Sequence, residues 1–516
     1  MKRYFLFLVL CSLCLTACRQ RSDEVLSYAY NDRMAFGEAD RTYADKFDVM
    51  WRGMNANYAL WDFEYANGLD WDKVYDEYYP KFKALDEQQG GATDEQLKAL
   101  LEEVVAPLHD GHLAIQMKNH RTGNFIMASP GHMRVQRERG EEYAAVAGKN
   151  PILDYYQANG KLKEYRKSSS NNFIVVFPAV FQWLEDSINA LEAKGAAITP
   201  VEAALLTEYK KVGQELRAIM EEGMKAVTIS LIEAYNIVAY RYEYLHIPGL
   251  APFNTKLEDT PLTITYALFE GNIAYLGFTK FSLLPFINPQ VTPQFFPGAD
   301  STALAIIQDI RDTWNAWFDA IQKHHAAGDL GGVIIDVRSN TGGMLDDFQY
   351  VVGALVPSGG LHESNARFKR GTGRLDYSPI LPQTMGTYPD EHVTVTEPIA
   401  VLCNCATVSM GEHTSYSAKV LENARLIGTR THGGFCALSD KGTYTTNYAG
   451  YVGEKNVTSV FCYIPQELAL TLDNEVLEGY GVTPDIEIPF DAATWNNGAG
   501  ADNQIDRALQ FIRTGN

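Results

Sequence analysis

The sequence predicts an α/β protein that carries a helical bundle before its sheet and a helical insertion between the two. From residue 263 onward, buried strands alternate with helices, which is typical of an α/β core. Before residue 115, apolar residues recur at helical spacing instead. The chain has 516 residues, of which 46% are hydrophobic and 21% charged, so we expect a globular protein of two or three domains.

The first 18 residues have the features of a secretion signal. Met1-Lys2-Arg3 is basic, and the apolar stretch from Phe5 to Cys14 is too short to span a bilayer. The following Leu15-Thr16-Ala17-Cys18 resembles the lipobox of bacterial lipoproteins, in which the cysteine is lipidated and becomes the first mature residue. We therefore expect lipidation of Cys18, with more than one acyl chain making the anchor stable. The alternative is a plain signal peptide with an incidental cysteine.

A polar tether over residues 19–40 is predicted next, followed by three amphipathic helices in a bundle over residues 41–115. The first helix begins near Phe47, the second opens at Asp70, and a capping box over Thr93–Gln96 starts the third. Short links between these helices favour a small bundle.

Residues 116–260 are predicted to form an insertion dominated by one long helix. Thr199-Pro200-Val201-Glu202 supplies an N-cap, a proline in the first turn and a capping-box glutamate together. We expect the helix to run from there towards Tyr244. No internal repeat is present in the chain.

The charge and the cysteines restrict the partners that we expect. A net charge of −20 repels phosphate backbones, so we expect no nucleic acid partner. Beyond the anchor, the four cysteines could form disulfides in three full pairings, but buried thiols are the favoured interpretation. Cys403-Asn404-Cys405 lacks metal-ligand spacing, so we expect no metal site. The four are Cys403, Cys405, Cys436 and Cys462.

Within residues 261–490, Ser409 follows a buried strand and precedes a helix. A nucleophile at such a turn is exposed above the sheet, and the helix N-terminus favours developing negative charge. The N–H group of Met410 could serve as one oxyanion donor. The alternative is structural, because Ser409-Met-Gly-Glu412 also has the pattern of a capping box.

Gly342-Gly343 follows another buried strand and is predicted to lead into a helix from about Leu345. Two glycines expose backbone N–H groups without side chains in front of them, so this pair could complete an oxyanion hole. The alternative is a simple tight turn. A nucleotide site is not expected, because the Lys-Ser/Thr pair of a phosphate-binding loop is missing.

Four segments in this order resemble the S41 serine peptidases, and the N-terminal bundle resembles the helical domain of their tricorn-like branch. The resemblance implies a ClpP/crotonase-like catalytic core over residues 261–490, followed by a tail or helix over residues 491–516. It also implies a peptide or protein substrate and no cofactor. The segments are Asp336–Gly343, Ser409–Glu412, Gly428–Gly434 and Glu478–Asp485, with Leu69–Asp72 and Asp110–His112 in the bundle.

The resemblance also assigns the general base. C-terminal processing peptidases use a lysine 25 residues after the nucleophile, and that position here is Gly434. Tricorn-like members use a histidine, which corresponds to His112, and a histidine with a pKa near neutrality suits proton abstraction from Ser409. The alternative bases are His432 and His109.

A third group should orient the imidazole. The resemblance places it at Glu478, with the serine that precedes the histidine in tricorn-like members replaced by Gly111. Glu478 would then act directly or through water, or Asp110 would share the task.

These expectations combine into a serine peptidase that is anchored by lipid to the cell envelope, facing the periplasm or the outer-membrane surface. Met410 and Gly343 (or Gly342) would hold the oxyanion. Two alternatives belong to other classes. One is an inactive ligand-binding or scaffold lipoprotein on the same fold, and the other is an esterase with the same triad.

Overall fold

A computed structural model of the protein describes residues 42–149, 152–170, 176–200, single positions between 202 and 214, 262–296, 301–371, 373–386, 392–438, 451–452 and 459–516. The predicted signal, lipidation site and tether lie outside these ranges, as does most of the helix predicted after Thr199. The capping-box bonds between Thr199 and Glu202 are present, at 3.0 and 3.3 Å. Within the described ranges, no helix is long and apolar enough to cross a membrane.

Two of the four N-terminal helices begin where the sequence predicts caps, whereas the first begins at Tyr43, before the predicted Phe47, and the short helix from Trp61 was not predicted. Asp70 accepts hydrogen bonds from the N–H groups of Asp72 and Lys73, and Thr93 and Gln96 form the predicted capping box. The helices close around fully buried aromatic side chains, among them Trp61 and Trp71. They are α1 (Tyr43–Asn57), α2 (Trp61–Ala66), α3 (Trp71–Glu87) and α4 (Asp94–Val105).

The segment after the bundle belongs to a small sheet rather than to a separate insertion. Its strand β1 (Ala114–Lys118) pairs antiparallel with β2 (Phe125–Ala128) and also with a strand near the C-terminus, β12 (Val460–Tyr463). Strand β11 (Tyr451–Val452) completes this sheet in the order β11-β12-β1-β2. The predicted boundary after residue 115 therefore falls inside β1, because the apolar side chains of β1 join the core under the helices.

A seven-stranded sheet in the order β14-β10-β9-β6-β5-β4-β3 forms the centre of the protein, as the α/β prediction requires. From β14 to β5 neighbouring strands run parallel, whereas β4 and β3 are each antiparallel to their neighbours. The strands are β3 (Leu162–Ser169), β4 (Thr263–Phe269), β5 (Ile273–Phe278), β6 (Gly332–Asp336), β9 (Ile399–Cys403), β10 (Ala424–Gly428) and β14 (Ile486–Glu487).

Helices cover both faces of this sheet, so its central strands are buried throughout. Val333 and Ile335 point into one core, and Ile334 points into the other. This alternation is what a strand buried on both faces requires. The larger helices are α5 (Pro130–Val146), α7 (Val176–Glu192), α10 (Ser301–Ala327), α11 (Met410–Val420) and α13 (Asn503–Thr514); the short ones are α6 (Asp154–Ala158), α8 (Leu284–Ile287), α9 (Thr292–Phe295) and α12 (Ala492–Trp495).

A third sheet, in the order β13-β7-β8, connects the core to the N-terminal helices. Arg367 at its surface makes a bidentate ion pair with Asp62, with both N···O distances 2.7 Å. Arg374 makes a second bidentate pair with Asp72, at 3.0 and 2.6 Å. The strands are β7 (Leu361–Phe368), β8 (Leu381–Met385) and β13 (Glu467–Leu470).

The α-helix predicted from about Leu345 was wrong. The chain forms two short 3-10 helices instead, Leu345–Tyr350 and Gly353–Leu355. The buried carboxylate of Asp347 accepts hydrogen bonds from the N–H groups of Leu283 and Leu284, at 2.5 and 2.7 Å. These long-range bonds hold the segment in single turns against the chain that follows β5.

Candidate active site

Ser409 adopts a backbone conformation that a helix cap does not need. Its φ is 60° and its ψ is −126°, and its side chain makes no capping hydrogen bond to α11. A residue other than glycine at positive φ costs about 1–3 kcal/mol, and such strain is concentrated at functional sites. The capping-box interpretation of Ser409 is therefore wrong, and its hydroxyl is left for another role.

Glu412, the other half of the expected capping box, reaches across to residues 429–434, here called the glycine loop. Its buried carboxylate accepts a 2.9 Å hydrogen bond from Gly433 N–H and further bonds from Gly434 N–H and the Thr431 hydroxyl. Ser409 N–H in turn donates to the carbonyl of Gly434, at 2.9 Å. Sequence reasoning missed this role of Glu412, although its position one turn after Ser409 places it on the same side of α11.

The loop with Gly342 and Gly343 lies directly against Ser409. A Cβ atom on Gly342 would lie 2.3 Å from the Cβ of Ser409 and 2.8 Å from its Oγ, so only glycine fits. The N–H group of Gly342 already donates to the side chain of Asn340, at 2.9 Å. Among the described residues no acceptor is recorded for Gly343 N–H, and Met410 N–H at the first helical position has no partner within its helix. These two amides could therefore donate to an oxyanion, whereas that of Gly342 is already occupied.

His112 places a neutral imidazole against the glycine loop. A Cβ atom on Gly434 would lie 3.3 Å from its Nδ1 and 3.4 Å from its Cε1. Both ring nitrogens are buried and have no hydrogen-bond partner in the described part of the chain. Burial lowers the pKa of His112 to about 4, and a positive charge on His413 would act in the same direction. The ring is thus neutral at pH 7 and has free capacity to accept a proton.

Glu478 lies behind His112 but is not hydrogen-bonded to its ring. Its buried carboxylate accepts one hydrogen bond from Gly111 N–H and one from Cys436 N–H, both 2.5 Å long. Burial raises the pKa of Glu478 well above its usual range, and the nearby Asp110 carboxyl raises it further. Glu478 therefore supports the backbone that carries His112.

Asp110 acts on the same backbone. Its Oδ1 accepts hydrogen bonds from the N–H groups of His112 and Leu113, at 2.6 and 2.7 Å, which fixes the turn into β1. Burial raises the pKa of Asp110 to about 6. Asp110 and Glu478 thus place two buried carboxyl groups behind the imidazole.

Steric packing explains why Gly111 stands where the tricorn-like resemblance would place a serine. A Cβ atom on Gly111 would lie 2.2 Å from the carbonyl oxygen of Gly433 and 2.6 Å from the Cα of Gly434. The backbone of Gly111 thus packs directly onto the glycine loop, and no side chain fits at this position.

The two alternative bases occupy different surroundings. The Nδ1 atom of His109 lies 2.8 Å from a carboxylate oxygen of Glu64, and this hydrogen bond raises the pKa of His109. His109 is therefore committed to an ion pair. His432 lies in the glycine loop, where burial lowers its pKa to about 3, with positive charges on Arg134 and His112 acting in the same direction.

His413 is a second buried histidine on α11, which sequence reasoning did not single out. Its Nδ1 lies 3.2 Å from a carboxylate oxygen of Glu363, and its Nε2 lies 3.0 Å from the carbonyl oxygen of Phe435. Both ring nitrogens are occupied, so His413 fixes α11 rather than acting as a base. Its position four residues after Ser409 is the signal that could have identified it.

The four cysteines outside the signal are buried and unpaired, as the thiol interpretation predicts. Burial raises the pKa of the Cys403 and Cys405 thiols, Cys405 to about 12. Within the described ranges, no three His, Cys, Asp or Glu side chains lie close enough together to hold a metal ion.

Part of the chain is similar to known peptidases. Residues 272–488 match the model of peptidase family S41. The carboxy-terminal-processing protease of Bartonella bacilliformis is 26% identical over 220 residues, which cover 42% of this chain and 39% of that protein. The tricorn protease of Thermoplasma acidophilum is 28% identical over 186 residues, which cover 35% of this chain and 14% of that protein.

Two solved structures align over most of the chain. A putative peptidase from Parabacteroides merdae is 14% identical with a TM-score of 0.47, and the alignment covers 92% of this chain and 98% of that one. Mature CPAF complexed with lactacystin is 11% identical with a TM-score of 0.43, and the alignment covers 92% and 97%.

Proposed function

Because residues 272–488 match the model of peptidase family S41, we propose that this protein is a serine peptidase in which Ser409 is the nucleophile and His112 the general base. The observation that carries the proposal is the strained conformation of Ser409, whose hydroxyl caps no helix. A buried, neutral imidazole lies beside Gly434, whose carbonyl accepts the N–H group of Ser409.

In the proposed reaction, His112 accepts the hydroxyl proton as Ser409 Oγ attacks the peptide carbonyl carbon. The carbonyl oxygen then carries negative charge, which the N–H groups of Gly343 and Met410 and the N-terminus of α11 stabilise. The protonated imidazole passes its proton to the leaving amine, and an acyl-enzyme remains. A water molecule activated by His112 then releases the product and restores the hydroxyl.

Asp110 and Glu478 are proposed to support the imidazolium through the backbone. Both carboxyl groups lie behind the ring and hold the N–H groups of residues 111–113. These hydrogen bonds fix the backbone that carries the ring, so both carboxyl groups position the imidazole. The orienting group is thus a pair of carboxyl groups, with neither bonded to the imidazole.

A fluorophosphonate probe tests the proposal, because it labels only an activated serine. We expect labelling of the wild type and its loss in S409A and in H112A. S415A is the matched control, since this buried serine on α11 only bonds back to the Gly411 carbonyl, at 2.8 Å. An unlabelled wild type, or an H112A variant labelled at the wild-type rate, would overturn the assignment. A peptide library then separates a peptidase from an esterase.

We also propose that Cys18 carries a lipid that anchors the protein at the cell envelope. The support is the Leu-Thr-Ala-Cys ending after a short apolar stretch. Metabolic labelling with a fatty acid and membrane fractionation should show a lipidated, membrane-bound wild type and an unlabelled C18A variant. Labelling that persists in C18A would contradict this site.

A further inference from the structure

Helix α5 contacts both the turn before His112 and the glycine loop. Its first turn packs on the backbone before His112, since a Cβ atom on Gly131 would lie 2.6 Å from the Cα of Gly111. Gly111 in turn packs on Gly433 and Gly434. Three segments of backbone are therefore stacked without intervening side chains, and α5 is the outer layer of this stack.

Two arginines extend from α5 to this region. Arg134 Nη1 donates to the carbonyl oxygen of His109, at 2.7 Å. Its Nη2 is buried without a hydrogen-bond partner in the described ranges, and a Cβ atom on Gly433 would lie 3.1 Å from it. Arg134 thus lies between the turn that carries His112 and the glycine loop.

Arg139 holds the glycine loop more directly. Its guanidinium donates to the carbonyl oxygens of Arg430 and Thr431, the latter at 2.6 Å. The helix departs from helical geometry at Arg139 itself, with φ −140° and ψ 32°. Glu142 adds a third contact by accepting a hydrogen bond from the Thr429 hydroxyl.

We propose that α5 is a positioning clamp for catalysis, in which Arg139, aided by Arg134, fixes the glycine loop between Ser409 and His112. The inference rests on the proposed function, because it concerns the distance from the Ser409 hydroxyl to the His112 imidazole that the proton has to cross. Gly434 accepts the N–H group of Ser409 and contacts the ring of His112, so a shift of the glycine loop changes both. A displacement near 1 Å can lower a rate by about 100-fold.

R139A and R139K test the clamp, with R137A as the matched control on the same helix. The Arg137 side chain is 66% exposed and has only a 3.4 Å contact with its neighbour Glu138. We expect R139A to lower kcat by about 10–100-fold with KM nearly unchanged, and R137A to match the wild type. R139K should fall between them, because an ammonium group lacks the planar fork that reaches both carbonyls.

Chemical rescue separates positioning from a general loss of structure. Guanidinium ion at millimolar concentration should restore part of the kcat of R139A, whereas the same concentration of urea should not. A kcat for R139A equal to that of R137A would overturn the clamp. The clamp would also be overturned if guanidinium restored none of the kcat lost in R139A and R139K lost as much kcat as R139A. An unlabelled wild type would instead overturn the proposed function itself, so the two failures are distinguishable.

Discussion

The imidazole of His112 fills the space that a side chain at Gly434 would enter. A Cβ atom there would lie 3.3 Å from the Nδ1 of His112 and 2.6 Å from a methyl group of Val408. A side chain at position 434 would therefore meet both Val408 and His112. The glycine at this position matches this close packing.

Substitution G434A should inactivate the protein by displacing His112. The added methyl group cannot avoid Val408, so the glycine loop or the ring must move. We expect kcat to fall by about 100-fold or more. The control is G140A, where a Cβ atom would meet only the end of the Gln136 side chain, at 3.6 Å. Wild-type kcat in G434A would contradict the packing described for His112.

Substitution G111S should also lower activity, even though it introduces the serine that the tricorn-like resemblance leads one to expect. Its Cβ would lie 2.2 Å from the carbonyl oxygen of Gly433, which is backbone and cannot rotate away. We expect a lower melting temperature together with slower fluorophosphonate labelling. Faster labelling would show instead that a hydroxyl relay can form here.

The pH profile of kcat/KM should report the low pKa of His112. Only the neutral ring can accept the proton of Ser409, so activity should persist below pH 6.5 and fall as the pH approaches about 4. The free energy of unfolding should also fall as the pH is lowered. A depressed histidine pKa contributes stability that is lost as the pH falls from 6.5 to about 4. A profile that falls near pH 6.5 would contradict the burial of the ring.

D110N should remove a pH-dependent cost to stability. The Asp110 pKa is raised from 3.8 to about 6, so the folded protein binds more protons than the unfolded chain between these values. Stability therefore falls as the pH rises through this window. The asparagine oxygen can still accept both amides, so D110N should be more stable at pH 8 by up to about 3 kcal/mol. Urea denaturation at pH 4 and pH 8 measures this difference, and D76N in the bundle is the control.

Much of the fold could be predicted because its signals are local. The strand over Gly332–Asp336 is a largely apolar run that is buried throughout, and the cap at Asp70 uses neighbouring amides. The pairing of β1 with β12 could not be predicted, because it joins residues about 350 positions apart in the sequence. The α-helix predicted from about Leu345 fails for a similar reason, because the hydrogen bonds of Asp347 join residues that are far apart in the sequence.

The site was predictable in its residues but not in its contacts. Ser409 and His112 follow from ordered motifs, and both lie next to Gly434, although the buried ring nitrogens of His112 make no hydrogen bond to Ser409. The contacts of Glu478 with Gly111 N–H depend on how closely three backbone segments approach each other. No sequence pattern reports that distance, so the sequence left open whether Glu478 acts on the imidazole directly, through water or together with Asp110.

Mass-spectrometric mapping of the fluorophosphonate adduct tests the central claim most directly. The wild type should carry one adduct, on the peptide that contains Ser409, and H112A should carry none after the same exposure. An adduct on any other serine, or equal modification of Ser409 in H112A, would contradict Ser409 as a nucleophile activated by His112.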